Sequence, residues 1–244
     1  MSTSREMLTT STMLVGGAQA LLIDPAWLPD ELDARAASVR ETGLNVIGGF
    51  STHAHHDHLL WHPGFGAAPR WASQKTAQLA AAERSSLVEQ LGPSFPRHLA
   101  GLVGLVRGIE AVIPEESVPA GFEVELVIHD GHAPGHTALW LPRQGVLVAG
   151  DMLSDVEVPL PFDPDDLAAY LEALDRLAPY ADAADVVVPG HGHVGPDARA
   201  RLDADRRYLD DMMRRGASDD PRAANPANAD DHDRLRRLIR RLER

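Results

Sequence analysis

The sequence predicts a mixed α/β or α+β protein, and three observations carry that expectation. Short apolar runs closed by Gly, Pro or Asp alternate with stretches of helical periodicity, with more helix toward the C-terminus. Over 244 residues, 44% hydrophobic and 24% charged positions match a globular chain with an ordinary core. No run approaches 18 apolar residues, so no transmembrane helix is expected. The length suits one large domain or two small ones.

The first element expected is a hairpin, Thr12 to Val15 and Ala18 to Ile23 around a Gly16-Gly17 turn, closing at Asp24-Pro25. From Pro29 to Glu41, Leu32, Ala36 and Val39 recur at helical spacing and Gly43 supplies the stop. Leu44 to Phe50 reads as a buried strand running into Ser51-Thr52 and a cluster of histidines. Arg70 to Ala72 reads as a short strand, followed by a helix opened by Ser73. Leu91 to Gly108, with Pro93, Pro96, Gly101 and Gly104, suits an insertion or lid better than a core element. Strands are expected at Glu123 to His129, Ala138 to Pro142, Gly145 to Ala149 and Asp185 to Val188. A helix opened by Asp163-Pro164 is expected over Asp165 to Leu177, and a longer one over Pro196 to Arg215. The chain is thus read as a catalytic domain, 1–215, followed by 216–244. The second part is a Pro/Asn/Asp-rich linker, Ala217 to Asp230, and an Arg-rich terminal helix packed on the domain or on a second subunit of a homodimer.

The formal charge is -13, which argues against nucleic acid as the main partner, because phosphate-backbone affinity rests on Lys and Arg. Lys75 is the only lysine. Arg234, Arg236, Arg237, Arg240, Arg241 and Arg244 collect in the last helix and read as a solvated face. The first twelve residues are polar and lack the apolar stretch of a secretory signal, so the expected location is cytoplasmic. With no Cys, disulfides, thiolate nucleophiles and Cys-containing metal sites are excluded, and any metal must be held by His and carboxylate.

Twelve histidines in a chain without Cys point to metal, since neutral imidazole is the commonest zinc ligand. Thr52-His53-Ala54-His55-His56-Asp57-His58 places four His and an Asp directly after a strand. His53 and His55, two apart, project to one side of an extended backbone, and Asp57 and His58 are expected to begin a helix and reach a second ion. His136, Asp151 and His191 each follow an apolar strand and a Gly, so the strands deliver them to one edge of a sheet. His132 and His193 are expected to hydrogen-bond beside the ligands or to face solvent. His56 is expected to be exposed or structural, and His62, His98, His129 and His232 to be surface or packing residues. Trp27, Trp61 and Trp71 are expected in the core, with lining of a substrate pocket as the alternative.

With His-x-His-x-Asp-His at 53–58, the later His136, Asp151 and His191 in order, and Asp24 closing an early Leu-Leu-Ile-Asp-Pro strand, the chain resembles the metallo-β-lactamase fold superfamily from Thr12 to about Gly195. The resemblance implies an αββα sandwich, two mixed β-sheets flanked by helices with metals at one rim. It also implies that His53, His55 and His136 hold one ion, that Asp57, His58 and His191 hold a second, and that Asp151 bridges them. The expected cofactor is two Zn²⁺ per chain, with Mn²⁺, Fe²⁺ or Co²⁺ as substitutes. Two ions about 3.5–4 Å apart can share a hydroxide formed at neutral pH, and Asp57 could orient it and carry a proton to the leaving group. The expected activity is hydrolysis of a small-molecule ester, lactone, thioester or phosphoester.

Departures from known branches narrow this expectation. Secreted β-lactamases of the best-known type place Cys where Asp151 stands. The acyl-homoserine lactonases typically carry Tyr where this chain has Ser154. Glyoxalase II enzymes usually follow the signature with Gly-Gly, whereas Leu59-Leu60-Trp61 follows here. The alternative is a mononuclear non-haem iron oxidoreductase resembling persulfide dioxygenases.

Overall fold

A computed structural model describes residues 1–161 and 166–242. The Asp163-Pro164 helix opening and Arg244 of the Arg-rich terminal helix therefore lie outside the described residues. The first half contains β1 (Ser2–Thr3), β2 (Thr10–Gly16), β3 (Gln19–Ile23), α1 (Pro29–Glu41), β4 (Asn45–Phe50), β5 (Arg70–Ser73), α2 (Gln74–Ala82), α3 (Arg84–Gln90), α4 (Arg97–Ala100) and β6 (Arg107–Ile109). The second contains β7 (Glu125–Ile128), β8 (Thr137–Leu141), β9 (Val146–Gly150), α5 (Leu167–Ala183), β10 (Val186–Pro189), α6 (Ala198–Arg215) and α7 (Ala229–Leu242).

The strands form a six-stranded sheet in the order β1-β2-β3-β4-β5-β6 and a four-stranded sheet in the order β10-β9-β8-β7. Both are mixed: β3 to β6 run parallel and β2–β3 antiparallel in the first, while β9–β10 are parallel and β7–β8–β9 antiparallel in the second. Alternation along the strands explains the layering. In β3, Leu21 and Ile23 face the second sheet, where Leu139, Leu141, Val148 and Val188 meet them with Phe50 of β4. The intervening Ala20 and Leu22 face Leu32, Ala36 and Val39 of α1. On the far side, Ala138, Trp140, Leu147, Ala149 and Val187 pack under Tyr170, Leu174 and Leu177 of α5 and Leu202, Leu209 and Met212 of α6. Two sheets buried on both faces, with helices outside, form the expected αββα sandwich.

Local chemistry accounts for the helix ends. Ser73 Oγ accepts the Thr76 N–H at 3.2 Å and caps α2, and Asp166 Oδ1 accepts the Ala169 N–H at 2.9 Å and caps α5. α5 runs past Leu177 through Pro179 to Ala183, because Ala181 is still buried against the core.

Two segments read as loose are packed instead. In 91–108, Leu99 and Val103 are buried in one cluster with Leu59, Leu60 and Trp61, and the Arg84 guanidinium donates to the carbonyls of Val103 and Gly101 at 2.9 and 2.7 Å. The insertion-or-lid expectation gives way because Leu99 of α4 and Val103 beyond it are buried in that apolar cluster. In the linker, two short 3₁₀ turns, Pro221–Ala224 and Pro226–Asn228, carry the buried Arg222 and Asn228. Arg222 Nη1 lies 2.6 Å from Asp205 Oδ1 and donates to the carbonyls of Ser154 and Glu157 at 2.8 and 3.1 Å. Beyond it, Leu235, Leu238 and Ile239 of α7 join the core under α6.

Candidate metal centre

β4 ends at Phe50 and releases the chain into turns over 52–59, not into the helix expected at Asp57 and His58. Asp24 pins this run: its carboxylate accepts the Thr52 N–H at 2.9 Å and the Thr52 hydroxyl at 2.7 Å, and lies 3.0 Å from His58 Nδ1. The His58 N–H closes on the His55 carbonyl at 3.2 Å. Held this way, consecutive side chains fan to different sides, which a regular helix would not permit.

Two groups of ligand-type atoms result: His53, His55, His132 and Asp151, and Asp57, His58 and His191. In the first, His53 Nε2 is 2.9 Å from His55 Nδ1, and His132 Nε2 is 3.1 Å from the same atom. In the second, Asp57 Oδ2 is 3.4 Å from His58 Nε2 and 3.2 Å from His191 Nε2, and those two nitrogens are 3.3 Å apart. Asp151 faces both. Its Oδ2 is 3.3 Å from His53 Nε2, 3.3 Å from His132 Nε2 and 3.4 Å from His191 Nε2, while Oδ1 is 3.2 Å from His58 Nε2.

The other ring nitrogens are held from outside. His53 Nδ1 is 3.0 Å from the Thr52 hydroxyl, His58 Nδ1 meets Asp24, and His191 Nδ1 is 3.1 Å from the Met7 carbonyl. In these three rings an outer partner on Nδ1 orients Nε2 toward the cluster.

Six of the seven expected ligands, His53, His55, Asp57, His58, Asp151 and His191, are brought together, and His136 is a correction. It lies at the start of β8, where its carbonyl accepts the His129 N–H at 2.9 Å, and its Nε2 accepts the Asp151 backbone N–H at 3.0 Å. His132, expected beside the ligands, stands among them. It sits in the β7–β8 loop with φ +68°, a backbone state uncommon outside Gly that lifts its ring over His55. The signal was present in the sequence: Gly131-His132-Ala133-Pro134-Gly135-His136 offers two histidines four apart, and only the loop's path chooses between them.

Of the others, His193 is exposed and paired with Asp155 at 2.8 Å, and His56 packs edge-on to Trp27. His129 is buried with neither ring nitrogen hydrogen-bonded, and burial pushes it down to about 3. Trp61 is in the core, with the Arg70 guanidinium over its ring. Sequence reasoning also passed over Glu157, whose carboxylate lies 3.9 Å from His191 Nδ1 and is pushed up to about 7 by burial.

The electrostatics differ across the centre. Burial, with the neighbouring imidazoles, depresses His55 well below its usual value, and burial takes His53 to about 4. Although burial opposes it, Asp151, Asp57 and Asp24 hold His58 well above its usual value, and Asp151 and Asp57 do the same for His191. Burial also works against ionisation of Asp57 and Asp151, yet His58 and His191 keep both carboxylates well below the usual range.

The donor set fits divalent cations. Imidazole nitrogens meet within hydrogen-bond distance, the buried Asp151 Oδ1 makes no hydrogen bond, and imidazole with carboxylate but no thiolate suits Zn, Mn, Fe or Co.

Comparison with known proteins agrees. The sequence model described as the metallo-beta-lactamase superfamily matches residues 5–191. A probable metallo-hydrolase of Bacillus subtilis, YflN, is 38% identical over 74 residues, which is 30% of this chain and 27% of that protein. Among solved structures, the metallo-beta-lactamase family protein TTHA1429 of Thermus thermophilus superposes with a TM-score of 0.63 at 23% identity, covering 85% of this chain and 78% of that one. A beta-lactamase domain protein of Burkholderia ambifaria gives 0.62 at 22%, covering 83% and 69%. TTHA1623, solved in a di-iron-bound form, gives 0.59 at 24%, covering 81% and 94%. At these identities the likeness establishes the fold.

Proposed function

The chain belongs to the metallo-beta-lactamase superfamily, and from that premise we propose that it is a binuclear metallo-hydrolase of a small-molecule ester, lactone, thioester or phosphoester. The observation that carries the reading is the placement of Asp151, one carboxylate within 3.4 Å of imidazoles from both groups. A carboxylate so placed suits two adjacent cations. His53, His55 and His132 would hold one, Asp57, His58 and His191 the other, and Asp151 both, with zinc the first expectation. Ions bound there supply a water whose pKa falls from about 15.7 toward 7 and a Lewis acid for a carbonyl or phosphoryl oxygen.

The chain's own groups do the rest. Asp57, whose carboxylate lies 3.4 Å from His58 Nε2 and 3.2 Å from His191 Nε2, would accept a hydrogen bond from the attacking water, take its proton and pass it to the leaving group. Asp24 and the Met7 carbonyl hold the Nδ1 side of His58 and His191, so that each ring turns Nε2 toward the cluster. A small molecule, not nucleic acid, suits a chain of formal charge -13. No helix among the described residues is long and apolar enough to cross a membrane.

Elemental analysis of protein purified without a His tag or chelator tests the reading, together with a panel of esters, lactones, thioesters and phosphoesters. Two zinc or manganese ions per chain with metal-dependent turnover support it. One iron and no second ion would replace it with the oxidoreductase alternative.

A further inference from the structure

The ring that leaves the ligand set is tied to the one residue both groups share. His136 is fully buried, and its Nε2 accepts the Asp151 backbone N–H at 3.0 Å. An accepting Nε2 places the ring proton on Nδ1, which has no partner. The plane of the ring is set by two neighbours: it stacks on His53 with centroids 5.0 Å apart and 28° between planes, and on His129 at 4.7 Å and 21°. Gly150 allows the approach, because its φ is +55° and a Cβ there would collide with His136 Nε2. Asp151 follows the last residue of β9, beyond the final pair of the ladder to β8. At this buried position, removing the imidazole would leave its N–H without its acceptor.

We propose that His136 is a positioning residue for Asp151: by accepting its backbone N–H, it sets the orientation in which the carboxylate faces both His groups, and so governs divalent-metal affinity without touching the ion. The inference rests on the metallo-hydrolase reading above. The geometry leaves little slack, since one carboxylate must lie 3.2–3.4 Å from four imidazole nitrogens, and a small turn about the Gly150–Asp151 backbone would carry it away from one group.

The test is a Co²⁺ titration of the full chain after chelator treatment, read by the visible absorption of bound cobalt, for wild type, His136→Gln and His136→Leu. A Gln side-chain oxygen reaches about where Nε2 stands and keeps the acceptor; Leu keeps the bulk and removes it. The expected result is near-wild-type binding by the Gln variant and binding weaker by about 10–100-fold in the Leu variant, the range for lost partners of metal-site groups. Equal binding by all three, or equal losses in both variants, overturns the positioning role while leaving the metal centre standing. A wild type that takes up no cobalt overturns both. Should the Leu variant fail to fold, long-range ¹H–¹⁵N spectra of wild-type histidines decide. An Nδ1-protonated His136 with an accepting Nε2 supports the inference, and a protonated or metal-bound Nε2 overturns it.

Discussion

The two halves of the molecule supply the centre in different ways. The six-stranded half contributes His53, His55, Asp57 and His58 from a single run after β4, whereas the four-stranded half contributes His132, Asp151 and His191 one at a time from three strand ends. The first is a local arrangement, held by Asp24 and one set of turns. The second exists only when β7–β8, β9 and β10 are in register, and it carries the carboxylate common to both groups. Damage to the second half should therefore spread further than damage to the first.

The largest expected effect is at Asp151. Asp151→Ala should abolish turnover and lower the metal content at both positions, whereas His55→Ala should lose one ion and keep more of the second; metal analysis beside circular dichroism checks the contrast. Equal metal loss in the two variants would break the comparison.

Next is Arg222→Met. It strands the buried Asp205 and frees the carbonyls of Ser154 and Glu157, and losing one partner of a buried pair costs about 3–5 kcal/mol. Burial already pushes Asp205 up to about 6, and removing the guanidinium raises it further. A raised carboxyl loses stability as pH rises, so the gap from wild type in urea unfolding should widen from pH 5 to pH 8.

His129 gives a smaller effect near neutrality and the opposite slope. Its folded value of about 3 lies below the ordinary 6.5, so its neutral form favours the fold above 6.5 and that contribution is lost as pH falls toward 3. His129→Leu should remove up to about 5 kcal/mol of acid sensitivity while changing stability at pH 7.5 little. An unchanged acid limb would show that this ring does not contribute.

The smallest effect belongs to the first half's surface. Arg5 forks onto Asp30 in full exposure, and Arg5→Ala should leave the melting temperature unchanged within error.

The same contrast governs what could be read in advance. The 53–58 run is legible because its chemistry is contiguous, and α1 is legible because Leu32, Ala36 and Val39 mark one helical face between Pro29 and Gly43. The 91–108 segment was misread because Gly and Pro signal a loop without saying what the intervening Leu99 and Val103 will meet. Arg222 was invisible because its partners lie at positions 154, 157 and 205, and no local pattern foretells a contact across such separations.

By itself, the sequence determined the mixed α/β or α+β class, the absence of thiolate chemistry and the supply of His and carboxylate at strand ends, since periodicity, composition and short-range spacing are properties of the chain alone; the sandwich was implied by the resemblance that the His-x-His-x-Asp-His run carries. Tertiary structure decided which of His132 and His136 faces the centre. Both sit in one Gly-His-Ala-Pro-Gly-His stretch, and only the left-handed backbone at His132, together with the Asp151 N–H waiting beneath β8, gives the two imidazoles different partners.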